Sequence, residues 1–485
     1  MPVGIRILKT RDIEMIFEAA VDVLGRTGSV VEDETAVALL RKSGVRVDGS
    51  NRVYIPSAMV TNAISTAPSS ITVYDRLGNK AMVLEERNSY FGAQVNCKEL
   101  IDPTTDQRRR MTLEDIGQAA FVIDALPNID WFGQVDIVAD VAVEYANAAI
   151  FGAELLSTSK PMIIPLDVLH PEVAYMMYDL AAAAAGGHSS LCEKPFIISG
   201  DSSISPLFHP REAIANLLFL AEKGLPCVYN PMPQGGITAP TTMAGVLTMT
   251  MAEVFTALVI GQLANPGSPF ICGGVPSIFD MRDNTFVYGS PELFLMCSAL
   301  ADIAHHYNLP CFGTAGMTNS KIVDLQAATD SSLSSLMAVL SGSNLIHDVG
   351  LVDIGSLNSL PMIVLTDEII GMIRYIEKGI EVTPDTLAVD VIHSVGPRGD
   401  FITEDHTLRY FRDCWYPGLF DHSLVRTDNS PEGRKIIEQE IQKRIDDILR
   451  NHVPAELPID AKKMISSFAE AKSIDPLRKV SLKYE

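Results

Sequence analysis

The chain has 485 residues, of which 47% are hydrophobic and 20% are charged, so it carries enough apolar material for a large buried core. Its 38 Lys and Arg residues against 60 Asp and Glu residues give a net charge of −22 at pH 7. A surface this acidic repels nucleic acid and anionic lipid, and it argues against partners of both kinds. A cationic substrate or a basic protein surface suits it better.

The cysteines and the most apolar segment predict a cytoplasmic protein. The seven cysteines are scattered and form no Cys-x-x-Cys pair, so we expect neither a disulfide framework nor a zinc knuckle. The N-terminal residues lack the apolar core of a signal peptide, and we expect none. The most apolar run, 243–263, contains Glu253 and Gln262, which favours a buried helix over a membrane span.

Residues 1–88 mix helical and extended patterns and predict an N-terminal α+β cap. Apolar residues recur at helical spacing over 12–27, 32–43 and 57–67. The stretch 45–56 alternates like a hairpin around Asp48-Gly49, and 71–84 alternates as well.

From residue 89 the pattern changes to a regular alternation of short apolar strands and longer amphipathic helices. The predicted strands are 89–92, 131–138, 161–166, 195–200, 226–230, 269–273, 310–313 and 344–348. The predicted helices are 113–126, 141–157, 171–185, 211–223, 241–264, 291–307, 324–341 and 362–378. Open sheets seldom keep this alternation so even, so the fold class we predict is α/β, a (β/α)8 TIM barrel over 89–379.

Residues 380–485 predict a mostly helical C-terminal extension. A helical pattern covers 384–395, and a long charged amphipathic helix covers 433–451. The interspersed basic and acidic residues of this second helix are typical of a solvated face with ion pairs along the helix.

In a TIM barrel the active site forms at the C-terminal ends of the strands and in the loops that follow them. Candidates selected by this position are Phe91, Gln94 and Asn96 after the first strand, Gln134 and Asp136 on the second, Asp167 after the third, Asp201 and Ser202 after the fourth, Tyr229 and Asn230 at the fifth, Phe279 and Asp280 after the sixth, Phe312, Met317 and Lys321 after the seventh, and His347 and Asp348 after the eighth.

Four aromatic candidates would suit a cationic substrate. If Phe91, Tyr229, Phe279 and Phe312 converge on one mouth, their ring faces would bind a quaternary ammonium group at about 0.5–2 kcal/mol each. Each of them, taken alone, is also compatible with ordinary core packing. Met317 is unusual because it lies in a polar loop, where an apolar side chain has no obvious core to join.

Other candidates leave alternatives open. His347, at a strand end, is a functional candidate, although it can also be structural. Glu292 follows Pro291 in a Gly-Ser-Pro-Glu turn, where it either stabilises a helix N-terminus or points into the barrel mouth. A desolvated Lys321 would suit a Schiff-base lyase, but its polar loop favours a structural lysine. We expect no metal site, because the rings of the adjacent His305 and His306 would diverge by about 100° on a helix.

Several long motifs resemble the trimethylamine methyltransferase family, whose barrel enzymes pass a methyl group from a methylated amine to a corrinoid protein. The motifs are AMVLEERNSYFGAQVNC, LPNIDWFGQVDIV, YGSPELFLMCSALADIAHHYNLPCFGTAGMTNSKIVDLQAA and SGSNLIHDVG. The segment DFITEDHTLRYFRDCWYP is similar to the branch of the family that lacks pyrrolysine. The resemblance spans nearly the whole chain.

The resemblance also implies a substrate class and a partner. Where the archaeal trimethylamine enzymes carry pyrrolysine, this chain has Met317, and the branch without pyrrolysine is associated with glycine betaine and related quaternary amines. We expect Met317 and His347 to lie on the catalytic rim. For a betaine substrate, we expect the aromatic residues to hold the cation and Gln94, Asn96, Asn230 or His347 to bind the carboxylate.

The same resemblance implies that cobalamin or another corrinoid arrives on a partner corrinoid protein. The chain lacks the Asp-x-His-x-x-Gly motif of permanent cobalamin binding, so we expect no permanently bound cofactor. We also expect a homo-oligomer. Two alternatives are the lyase that uses Lys321 and a non-catalytic protein that binds quaternary amines.

Overall fold

A closed ring of eight parallel strands forms the centre of the protein. The computed structural model describes residues 3–93, 97–102, 105, 107–133, 137–166, 170–422, 436–475 and 477. The ring strands are β1 Tyr90–Ala93, β2 Trp131–Gly133, β3 Met162–Ile163, β4 Ile197–Asp201, β5 Cys227–Tyr229, β6 Phe270–Cys272, β7 Phe312–Thr314 and β8 Leu345–Val349. Consecutive strands from β1 to β6 pair in parallel, β7 pairs with β8, and β8 pairs with β1. A bridge between Cys272 and Cys311 joins the remaining two edges.

A helix follows each strand, as the sequence predicts. The barrel helices are α1 Leu113–Ala125, α2 Val143–Ser157, α3 Pro171–Ala185, α4 Arg211–Lys223, α5 Met243–Ala264, α6 Pro291–His306, α7 Leu325–Ser341 and α8 Leu360–Lys378. Capping side chains fix several starts: Ser290 accepts from Leu293 N at the start of α6, and Asp324 accepts from Ala327 N at the start of α7. The (β/α)8 prediction is confirmed.

The N-terminal segment forms a layer over α5. Its helices are Thr10–Arg26, Glu34–Lys42 and Ser57–Thr66, and all three pack against α5. The short strands Ser29–Val31, Arg46–Val47 and Arg52–Tyr54 pair beside them. Among the described residues, α5 is the one helix long and apolar enough to cross a membrane, but 72% of its most apolar window is buried in the protein. Buried residues of this layer and of the barrel helices belong to one apolar core. The predicted domain boundary at residue 88 therefore stays a prediction.

A β-hairpin closes the end of the barrel at which the strands begin. Its strands are Ile71–Tyr74 and Lys80–Leu84. Their inward side chains form one cluster with the lowest layer of the barrel interior, which consists of Trp131, Ile198, Val228, Ile271, Phe312 and Leu345. Because each of these buried side chains contributes about 1.5–3 kcal/mol, the hairpin is a main support of the barrel floor.

Two helices from the C-terminal region pack on the outside of the barrel. Ile437–Asn451 contacts α8 and α1 through Ile441, Ile445 and Ile448, at the spacing of one helix face. A second helix, Ile459–Ala471, contacts α2 and α3 and is absent from the sequence-based prediction. The predicted helix over 384–395 forms two short pieces, Pro384–Leu387 and Val389–Val395, because Ala388 between them has a φ of 52°.

Asn344 joins the hairpin end to β7 and β8. Its Oδ1 accepts a hydrogen bond from Cys311 N at 2.8 Å. Its Nδ2 donates to the carbonyl oxygens of Glu85, Glu86 and Asn88 at 3.2, 3.2 and 2.9 Å. The side chain is fully buried, so one amide connects the start of β7 to the turn that precedes β1.

Replacing this amide tests its contribution to stability. Asn344→Ala should lower the free energy of unfolding by about 3 kcal/mol, because it removes a buried amide together with its hydrogen bonds to the backbone and leaves the buried Cys311 N–H without its partner. Urea denaturation followed by circular dichroism measures the change. Asn88→Ala, which removes an exposed amide bonded to Val83 O, is the control and should cost less than about 1 kcal/mol. Equal losses in the two variants would contradict the role assigned to Asn344.

Candidate active site

Two small sheets flank the mouth of the barrel, at the C-terminal ends of the strands. One combines Glu99–Ile101, Arg108–Arg110, Leu351–Val352 and Leu357–Asn358 from the loops after β1 and β8. The other combines Gln234–Gly235, Ser277–Asp280 and Thr285–Phe286 from the loops after β5 and β6. The two sheets lie on either side of the C-terminal ends of β6, β7 and β8.

The loop after β7 is clamped between its neighbours. Asn319 Oδ1 accepts from the backbone N–H groups of Tyr288 and Gly289 at 2.8 and 2.7 Å, which ties this loop to the loop after β6. Thr318 N donates to Leu351 O at 3.1 Å, which ties it to the loop after β8. Gly316 has a φ of 82°, and a Cβ there would lie 2.9 Å from Val349 Cγ2, so glycine is required.

This clamping buries Met317, contrary to the expectation that it has no core to join. Its side chain is fully buried. It belongs to an apolar cluster built by residues far apart in the sequence, which we call the mouth cluster: Cys97, Val275, Tyr288, Leu293, Phe294, Cys297, Met317 and Leu351. Phe286 packs against this cluster, with its ring 4.7 Å from that of Tyr288. The cluster supplies sulfur atoms and aromatic rings.

Thr314, His347 and Asp348 form a buried polar group beside the mouth cluster. Thr314 Oγ1 and His347 Nε2 lie 2.6 Å apart in a hydrogen bond, and Phe312 stacks on the imidazole at 4.3 Å between ring centroids. Nδ1 of His347 lies 2.7 Å from Oδ1 of Asp348, although the contact is not aligned as a hydrogen bond. The contact becomes an ion pair when the imidazole is protonated. All three polar side chains are buried.

A β-bulge brings Asp348 to this side of the sheet. The pairing of β8 with β1 shifts by one residue between Ile346 and Val349. Asp348, within the shift, has a φ of 79°, which is uncommon for any residue other than glycine. In a strand without a bulge, successive side chains point to opposite faces of the sheet. Because His347 points into the barrel, the side chain of residue 348 would then point away from the barrel interior. Strain of this kind is typical of functional sites.

The charge of Asp348 acts on neutral groups of the mouth cluster. Burial raises the pKa of the Tyr288 phenol well above its usual value, and the adjacent Asp348 carboxylate raises it further. Burial likewise raises the pKa of the Cys97 and Cys297 thiols to about 12, with a smaller contribution from Asp348. These three groups therefore stay neutral at pH 7, and the carboxylate faces an apolar, polarisable surrounding that suits a cation.

Two predicted cage residues do not face the mouth. Phe91 lies in the core between the barrel and its helices, because Gly92 is the inward residue of β1 and packs against Trp131. Tyr229 also faces outward, because Val228 is the inward residue of β5. The Tyr229 hydroxyl bonds to Nδ1 of buried His209 at 2.7 Å. The assignment of Phe91 and Tyr229 to an aromatic cage is wrong, because successive residues of a strand face opposite sides.

The remaining aromatic and polar candidates have mixed positions. Phe312 faces inward but belongs to the lowest layer of the barrel, under His347. Phe279 is half-buried in the small sheet after β6, opposite Phe286. Asn230 is half-buried at the end of β5, and Glu292 is half-buried at the second position of α6. A binding role for Phe279, Asn230 and Glu292 stays a prediction. Gln94, Asn96, Gln134, Asp136 and Asp167 lie outside the described residues.

Lys321 does not have the environment of a Schiff-base lysine. Its side chain is 71% exposed and lies 3.7 Å from Asp353, which also pairs with Arg108 at 2.9 Å. A catalytic lysine of that kind needs desolvation to lower its pKa. The lyase hypothesis for Lys321 is therefore not supported. No group of three or more His, Cys, Asp or Glu side chains within the described ranges is arranged to hold a metal ion.

The sequence did not point to Tyr288, Cys97 and Cys297, which come from three separate segments and lie close to Asp348 only in the folded chain. Thr314 could have been found, because its spacing from Phe312 along β7 gives both the same inward face.

The fold is a (β/α)8 barrel, a class of protein whose enzymes carry their active sites at the mouth, where the buried polar group and the mouth cluster lie. The family model described as trimethylamine methyltransferase (MTTB) matches residues 3–475. The chain is 31% identical over 468 residues to trimethylamine methyltransferase MttB of Desulfitobacterium hafniense, covering 96% of this chain and 94% of that protein. The chain belongs to the trimethylamine methyltransferase family and is a methyltransferase, which confirms the resemblance seen in its motifs.

Two further proteins are similar to this chain. A glycine betaine methyltransferase of Desulfitobacterium hafniense is 29% identical over 461 residues, with 94% of this chain and 95% of that protein covered. Among solved structures, the monomethylamine methyltransferase MtmB of Methanosarcina barkeri aligns with 99% of this chain and 89% of that chain, at 11% identity and a TM-score of 0.48.

The structural role of His209 predicts a pH dependence of stability. Burial lowers the pKa of His209 to about 3, below its ordinary value of 6.5. The unfolded chain therefore takes up a proton between pH 6.5 and pH 3 that the folded chain does not, and stability falls as pH falls through this range. The loss attributable to His209 should reach about 2 kcal/mol at pH 5.

Urea denaturation at pH 7.5 and pH 5.0, for the parent chain and His209→Gln, measures this loss. The glutamine variant should be less stable at pH 7.5, and its deficit should shrink at pH 5.0 because it has no proton to take up. A deficit that is the same at both pH values would contradict the prediction.

Proposed function

We propose that this methyltransferase takes its methyl group from a quaternary amine, glycine betaine or a related betaine, and transfers it to the Co(I) corrinoid of a partner protein. The observation that carries the proposal is the buried carboxylate of Asp348 beside the sulfur atoms and aromatic rings of the mouth cluster. A carboxylate removed from water is costly unless a cation accompanies it. A quaternary ammonium bound beside Asp348 would compensate the charge.

A quaternary ammonium also suits the side chains that are present. Its methyl carbon is bonded to a positively charged nitrogen, which leaves as a neutral tertiary amine when the acceptor supplies both electrons of the new bond. Because the nitrogen leaves uncharged, the reaction needs no general acid. The site then has only to hold the methyl group in line with the acceptor and to exclude water.

The position of Met317 supports the same substrate class. The family resemblance aligns it with the pyrrolysine of the archaeal trimethylamine enzymes, so the chain has a buried apolar side chain where those enzymes have an electrophile. A tertiary amine would lose that partner, whereas a quaternary ammonium gains a polarisable surface. The glycine betaine methyltransferase among the relatives adds a further argument for betaines.

We assign roles within the site on this basis. Asp348 with Tyr288 would face the ammonium group, and Met317 would shape the pocket. His347, Asn230 and the two amides Gln94 and Asn96 are our candidates to bind the betaine carboxylate. In this proposal the methyl acceptor is a corrinoid that a partner protein carries to the barrel mouth. We propose that the reaction takes place in the cytoplasm.

Methyl transfer can be tested without knowing the natural partner. The purified chain should transfer a methyl group to free cob(I)alamin when glycine betaine or a related betaine is added, and it should release the corresponding tertiary amine. The absorption spectrum of the corrinoid and mass spectrometry of the amine follow the two products. Trimethylamine should react far more slowly. If no quaternary amine reacts, with free cob(I)alamin or with corrinoid proteins, the proposal fails.

A charge-neutral substitution tests the role of Asp348. Asparagine tolerates the left-handed backbone at least as well as aspartate, so Asp348→Asn removes the charge and keeps the conformation. Betaine affinity should fall on the order of 100-fold, the loss expected when one partner of a buried ion pair is removed. Isothermal titration calorimetry measures Kd, and a thermal-shift screen against betaine, carnitine, proline betaine, choline and trimethylamine ranks the ligands.

Asp353→Asn is the matched control. Asp353 also has a positive φ, of 50°, but its carboxylate pairs with Arg108 and Lys321 at the outer rim. This variant should keep the parent affinity. If both variants lose affinity equally, or if Asp348→Asn loses none, Asp348 does not bind the cation.

A further inference from the structure

We propose that residues 380–416, here called the arm, form the contact surface with a second copy of this chain. The arm continues from the C-terminal end of α8. Because α8 starts beside the mouth and has 19 residues, the arm begins about 28 Å away, toward the closed end of the barrel. The inference concerns a different surface from the proposed active site and does not depend on the substrate.

The arm has secondary structure without a core of its own. Its helices Pro384–Leu387, Val389–Val395 and Asp405–Tyr410 have four, seven and six residues, and none contains a buried residue. Helices shorter than about 12 residues are unstable in water unless they pack against something. The arm therefore needs a surface that a single described chain does not provide.

Polar contacts give the arm a defined shape. Asp385 accepts hydrogen bonds from both terminal nitrogens of Arg409 at 3.2 Å and from the Tyr410 hydroxyl. Tyr416 donates its hydroxyl hydrogen to Phe411 O at 2.8 Å. The bonds of Asp385 hold the start of the arm against the helix Asp405–Tyr410, while the large apolar side chains of the arm remain exposed.

The apolar surface of the arm is large enough for a stable dimer. Ile380, Val382, Ile402, Leu408 and Tyr416 are 91%, 69%, 82%, 71% and 65% exposed, and five more large apolar side chains of the arm are at least 42% exposed. At about 100 Å² each, these ten present roughly 1,000 Å², more than the ~800 Å² that one partner contributes to a standard interface. Monomeric proteins rarely leave so large an apolar area uncovered.

The occupant that fits this surface is another copy of the chain. A visiting protein that leaves after each reaction would expose the arm repeatedly, whereas a second copy is present whenever the chain is. In a two-fold symmetric dimer the same patch serves both partners. Tyr375 and Ile376 at the end of α8 are 40% and 43% exposed and extend the patch onto the barrel. With a net charge of −22 per copy, apolar contact has to drive this association against repulsion.

Sedimentation velocity tests the proposal. The parent chain should sediment as a dimer of twice 52.7 kDa, and more of it should dimerise at high salt, where repulsion is screened. The double variant Ile402→Asp with Leu408→Asp should sediment near 52.7 kDa. Ile459→Asp, which changes a residue that is 70% exposed outside the arm, is the control and should remain dimeric. A monomeric parent chain, or a double variant with the parent mass, would overturn the proposal.

Two native cysteines give a second readout without any substitution. Cys414 is exposed in the arm, and Cys192 is exposed elsewhere. Dilution to a concentration at which the dimer dissociates should speed alkylation of Cys414 several-fold and leave Cys192 unchanged, as measured by mass spectrometry of the labelled peptides. An unchanged Cys414 rate across dissociation would show that the arm is not the contact surface.

Discussion

The β-bulge at the end of β8 is the constraint on which the site depends. In a regular strand, His347 and Asp348 would point to opposite sides, one into the barrel and one toward the helices. The inserted residue and the left-handed backbone of Asp348 bring its carboxylate close to Tyr288, Cys97 and Cys297 instead. One local irregularity thus places a negative charge inside an apolar cluster, and the surrounding loops maintain the strain.

The loops that enclose this charge are fixed by the same region of backbone. Gly316 lies against Val349, at the end of the bulged strand, and Gly350 N bonds to Gly316 O at 3.2 Å. Met317 follows directly, so its burial is coupled to the geometry of β8. Thr314, bonded to His347 from the adjacent strand, completes the connection between β7 and β8. A change in any of these contacts would move the methionine and the carboxylate together.

The order of the strands and helices could be predicted from the sequence, because the periodicity of apolar residues depends on local sequence alone. The periodicity of apolar residues and the regular alternation of short strands with longer helices marked the eight strand–helix units near the places where they occur. Side-chain direction was harder to predict, and Phe91 and Tyr229 illustrate the reason: one residue of error in strand parity reverses a side chain. Gly92 and Val228 occupy the inward positions that those aromatic residues had been given.

The environment of Met317 could not be read from its own loop, because its neighbours come from the segments after β1, β6 and β8. The polar residues around Met317 in sequence suggested exposure, yet they bond to those other segments and hold the methionine underneath. His347 and Asp348 were selectable from their position at a strand end, but the bulge that turns Asp348 toward the cluster leaves no mark in the residue pattern. Non-local contacts and backbone irregularities therefore account for most of what sequence reasoning missed.

The two ends of the barrel have different tasks, and the distribution of apolar surface reflects this. The hairpin seals the floor, the arm continues from α8 on that side, and the mouth at the other end carries the buried charge. If chains pair through the arm as proposed, their contact lies away from the mouth, where the proposed methyl acceptor would need access. A permanent apolar interface and a transient catalytic one conflict when they share a surface, because the first must exclude water continuously and the second must open at each turnover. Placing them at opposite ends of one rigid barrel removes the conflict.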